Sequence, residues 1–99
     1  MSAALAAFET VEAAVETVVA VRGSGLDPAA LELIDAAHAR MLREAEGVDL
    51  TDHPTLFMEF HAAHEDSLQM GLDMVREICQ ELGAIRFRAT TDPVERKKL

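Results

Sequence analysis

Apolar residues recur along this chain at spacings of three and four, and the recurrence divides it into three stretches. In the first, Phe8, Val11, Val15 and Val18 form a stripe bordered by Leu5, Glu12 and Val19, with Glu9 and Glu16 opposite. The second repeats the phase through Leu31, Ile34, His38, Met41 and Ala45. The third runs through Phe57, His61, His64, Leu68, Gly71, Val75, Ile78 and Leu82. Such spacing keeps side chains on one helix face. Amphipathic helices are therefore expected at 2–22, 27–46 and 53–82.

The punctuation between the stretches suits that reading. Gly23-Ser24-Gly25 ends the first helix, since glycine takes the left-handed conformation of a helix C-terminus. Asp27-Pro28 restarts the chain with an N-cap and a first-turn proline, and Leu26 and Leu31 sit at the positions of a hydrophobic staple. Gly47 stops the second helix, Thr51 or Asp52 caps the third, and Gly83 breaks it. Residues 85–91 alternate apolar and polar side chains like a short extended segment. The fold class expected is all-α. It is a short antiparallel bundle of three helices, the C-terminal one long, over residues 1–83, followed by a basic, flexible tail at 84–99.

Composition adds a second copy to that picture. Apolar residues make up 49% of the chain, but there is no Trp or Tyr. Slim alanine-rich helices leave apolar surface that a homodimer would cover, completing a four-helix or larger bundle. The lone Cys79 excludes an internal disulfide and suits a reducing, cytoplasmic setting as an inert buried thiol. No run reaches the length of a membrane span, and a secretory signal is not expected. Net charge is −9, split between −12 in residues 1–83 (sixteen acids, four bases) and +3 in residues 84–99 (five bases, two acids). An acidic body repels phosphate backbones, so nucleic acid is excluded as a partner. A protein partner remains open, through an apolar helix face or the basic tail.

Histidines at inward positions ask for partners, because an unpaired buried imidazole is costly. Short connections make consecutive helices antiparallel neighbours. Counting residues from each loop then brings Glu12, Asp35, His38, His61, His64 and Glu65 to one height. Mixed nitrogen and oxygen donors without thiolate suit a transition metal, iron ahead of zinc or manganese. Glu12 with Asp35-x-x-His38 resembles half of the carboxylate-bridged di-iron site of ferritin-like proteins. His38 followed by His61-Ala-Ala-His64-Glu65 resembles half of the site in hemerythrin-like domains. Both resemblances span residues 12 to 65 and imply a fourth helix that this chain lacks. The function expected is metal binding for storage, sensing or oxygen and iron chemistry, with enzymatic action left open. The rival is a non-enzymatic helical interaction module (an adaptor, chaperone or antitoxin-like protein) whose histidines form a structural polar layer.

Overall fold

The computed structural model describes residues 2–26, 28–61 and 65–90, and of Glu65, Asp66 and Thr90 the backbone alone. Three stretches do punctuate the chain, but each opens as a strand before it becomes a helix. The elements are β1 (Ser2–Ala7), α1 (Val11–Gly23), β2 (Ala30–Ile34), α2 (Ala36–Glu46), β3 (Thr55–Phe60), α3 (Glu65–Glu81) and β4 (Arg86–Thr90). The sheet order is β2-β3-β1-β4, with every neighbouring pair antiparallel. Strands β1 and β2 thus run the same way with β3 between them, and α1 makes the crossover; α3 does the same from β3 to β4 around β1. This is the split β-α-β arrangement, with α2 added between β2 and β3.

The all-α bundle is therefore corrected to an α/β sandwich, and the reason lies in the strands. Every residue of β1 is buried, so neither of its faces shows the alternation by which a half-exposed strand is recognised. Its SAALAA run has high helix propensity, but tertiary contacts override a preference of tenths of a kcal/mol per residue (up to ~0.7). The small side chains of β1 are matched by large ones on its neighbours: Ala4 lies opposite Met58, and Ala6 between Leu56 and Phe87. Helices α1 and α3 press on this face. Ala14 and Val21 from α1, and Leu68, Leu72, Val75 and Cys79 from α3, close the main core over Leu56, Met58 and Phe60. Among the described residues the main core is thus closed by α1 and α3 on one face of the sheet.

The helix ends were legible and the helix starts were not. Gly47 adopts φ 70° and Gly83 φ 92°, both in the left-handed region. True helix starts sit inside the expected helices. Thr10 caps α1, its Oγ1 accepting the Ala13 amide at 3.1 Å. Asp35 caps α2, its Oδ1 accepting the His38 amide at 2.7 Å. The extended segment expected after Gly83 is present as β4, tied in further by the Ile85 amide donating to the Ala7 carbonyl at 2.8 Å. Residues 91–99, most of the expected tail, lie outside the described residues, as does Asp27.

Candidate functional site

The second face of the sheet carries the chemistry. Helices α1 and α3 cover one side, so alternate strand positions project to the other. The register lines up Glu32, Phe57, Leu5 and Arg88 in one row across the four strands, and Ile34, Thr55, Ala7 and Arg86 in the next. Helix α2 and the segment that follows it lie over part of this face. Ala39 and Leu50 bury against Leu5, with Ile34, Leu42 and Val48 around them.

That segment, residues 47–54, is a strap held by arginines from two elements. Asp49 takes Arg86 Nη2 at 2.5 Å and Arg88 Nη1 at 2.9 Å, and its carbonyl accepts from Arg86 Nη1 at 3.3 Å. Arg43 of α2 pairs with Asp52 at 2.6 Å and donates to the Leu50 carbonyl at 3.3 Å. The Arg86 hydrogen bond, aided by the charges of Arg86 and Arg88, holds the Asp49 carboxyl below the ordinary aspartate value of 3.8. Two guanidiniums thus share that one carboxylate at the β4 side.

At the β2 side a pocket of about 260 Å³ lies between the sheet and α2, floored by Leu5 and Phe57 and walled by Ile34, Leu42, Val48 and Leu50. Glu32 and Glu46 line it as well, and both are exposed. The face thus carries paired arginines by β4 and pocket-lining carboxylates by β2.

The expected metal layer loses its foundation here. Glu12 lies exposed in the first turn of α1, on the side of the sheet away from α2. Asp35 spends its carboxylate on capping α2, and His38 is exposed on that helix. The Asp35-x-x-His38 spacing that looked like a ligand pair is the spacing of a capping residue and the amide it accepts. His61 is exposed just beyond β3, not on a helix, so the residue count that levelled it with His38 no longer applies. His64 lies outside the described residues, and Glu65 opens α3 with its side chain undescribed. Among the described residues no group of three or more His, Cys, Asp or Glu is placed to hold a metal. Cys79 is fully buried, and burial pushes its thiol up to about 12, as an inert core thiol should be. Among the described residues no helix is long and apolar enough to cross a membrane.

The reading of the sequence passed over Glu32, Glu46, Asp49 and Arg86. Arg88 was passed over too, although Arg86-x-Arg88 in an alternating segment was a usable signal of two cations on one strand face.

Comparison with known proteins points in a consistent direction. A family model described as "FAD linked oxidases, C-terminal domain" matches residues 1–99. The chain is 28% identical over 92 residues to "D-lactate dehydrogenase (cytochrome), mitochondrial" of Arabidopsis thaliana, covering 93% of this chain and 16% of that protein. It is 26% identical over 99 residues to "Probable D-lactate dehydrogenase, mitochondrial" of Danio rerio, covering 100% of this chain and 20% of that protein. The chain therefore spans a fifth or less of the curated relatives it matches. These findings overturn both iron as the cofactor and the small iron-binding bundle as the function, and put the C-terminal domain of FAD-linked oxidases in their place.

Proposed function

The chain belongs to the family of C-terminal domains of FAD-linked oxidases, and on that premise we propose that it is one part of a flavoenzyme oxidising a small 2-hydroxy acid such as D-lactate. The observation that carries the reading is the family match over all 99 residues. The names of two relatives support the substrate class. The arginines of the second sheet face add a chemical reason, because a 2-hydroxy acid is an anion and a guanidinium such as those of Arg86 and Arg88 is the group that grips a carboxylate.

The described residues do not fit the flavin itself. A dinucleotide needs a seat for its pyrophosphate, usually a glycine-rich turn at a helix N-terminus. The N-termini of α1 and α2 are instead capped by their own side chains, and the α2 cap is the carboxylate of Asp35. The pocket on the second face is lined by Glu32 and Glu46, which would repel a phosphate. Its volume also falls below the ~300–1,000 Å³ usual for a larger ligand. We therefore assign the flavin to the portion of the protein outside this chain. This domain is given a role in walling the substrate site. Both relatives are named as mitochondrial; a reducing compartment, the cytoplasm included, suits the unpaired Cys79.

The test uses the full-length protein that contains this chain. It is expected to purify with bound FAD, whose absorbance bleaches when D-lactate or a related D-2-hydroxy acid is added without oxygen. A preparation that carries no flavin, or a flavin that none of these acids reduces, overturns the reading.

A further inference from the structure

The pocket under α2 has the wrong charge for the substrate proposed above, and its own chemistry asks for a cation. Neither the Glu32 nor the Glu46 carboxylate makes a hydrogen bond or ion pair within the described residues. Glu46 is the last residue of α2, where the helix dipole already places partial negative charge. The basic residue of that last turn, Arg43, is committed to Asp52 and to the Leu50 carbonyl. Phe57, the cross-strand neighbour of Glu32, adds an aromatic floor, and a ring face attracts a cation. The rest of the lining is aliphatic and suits the stem of a long side chain whose head is charged.

We propose that this pocket is a socket for an arginine or lysine side chain presented by the flavin-bearing portion of the protein, pinning that portion to the second face of the sheet. This rests on the reading of the chain as part of a flavoenzyme. Charge complementarity selects the occupant: two unpaired carboxylates and an aromatic floor recognise a guanidinium or ammonium, and repel the anionic substrate. The pocket's volume of about 260 Å³ matches one long side chain better than a whole cofactor. The source of the cation follows from coverage. At least four fifths of each relative's length lies beyond the part this chain matches, and α1 and α3 already occupy the opposite face.

The experiment compares the full-length wild type with the Glu32→Gln/Glu46→Gln double variant by peptide-resolved hydrogen exchange. Both side chains are exposed, and the amides keep their shape, so folding is preserved and the α1 amides serve as an internal control. The double variant is expected to exchange about tenfold faster or more over residues 42–50, and over one segment of the flavin-bearing portion, with α1 unchanged. Glu32→Lys combined with Arg→Glu or Lys→Glu at the cation in that segment should restore protection. Millimolar agmatine should leave the wild type unchanged. Equal exchange in wild type and double variant overturns the socket. So does agmatine slowing exchange over residues 42–50 of the wild type, which would mark the pocket as open to free amines. Absorbance of the same samples separates the two claims: flat exchange with flavin in place overturns the socket alone, and absence of flavin overturns the proposed function.

Discussion

Asp35 shows how one side chain can be misread when its neighbours in space are unknown. Three residues before His38, it offers the same spacing to a metal ion and to a backbone amide, and the amide has it at 2.7 Å. Asp35→Ala should therefore cost about 1 kcal/mol of α2 stability, the usual loss for an N-cap. His38→Ala, at an exposed position, should change stability by less than about 0.5 kcal/mol. Urea titration of both variants checks the pair; equal effects would contradict the capping assignment. The imidazoles demanded partners only under the assumption that they were buried. His38 and His61 are exposed, so that demand is met by water.

Among the elements, the strap at 47–54 is the one whose stability depends on charge. Its anchor, Asp49, has a carboxyl held below 3.8 by the Arg86 hydrogen bond and the arginine charges. A carboxylate with a depressed folded-state pKa contributes stability that is present above the ordinary aspartate value. That contribution is lost as pH falls through the lower folded value. Asp49 is solvent-exposed, so the effect is confined to the strap and screened by salt. NMR titration of the Asp49 carboxyl carbon should give a midpoint under 3.8, moving upward in Arg86→Gln. A wild-type midpoint at or above 3.8 would mean that the arginines do not hold it in solution. Between pH 5 and 8 the strap should not respond to pH through Asp49.

For the whole molecule, the proposed function yields a prediction about substrate binding by the arginines of the second face in the full-length protein. Replacing Arg86 and Arg88 together with Gln should raise the KM for a 2-hydroxy acid about tenfold or more while kcat changes little. A guanidinium facing a carboxylate contributes roughly 1.5–3 kcal/mol to binding. Asp49→Asn, which removes the carboxylate competing for both arginines, should lower KM. If instead kcat falls in the arginine variant with KM unchanged, these arginines do not meet the substrate's carboxylate.

What the sequence determined by itself is local. The three turns that close the helices, at Gly23-Ser24-Gly25, Gly47 and Gly83, follow from backbone freedom that needs no distant partner. The alternation that marks β4 is equally local, and so is the inert thiol of Cys79, buried on the inner side of α3. Strand β1 was hidden because a central strand buried on both faces has no two-residue pattern, and alanine at Ala3, Ala4, Ala6 and Ala7 favours a helix when taken alone. Only the tertiary structure decided for the sheet, since the backbone pairing of β1 with both β3 and β4 supplies what local preference withholds. The site followed the same rule. Arg86 and Arg88 are 37 and 39 residues from Asp49 along the chain, and Glu32 meets Phe57 through strand register. Long-range pairing of this kind is written in no local spacing, because the distance that matters is set by how the strands are ordered in the sheet.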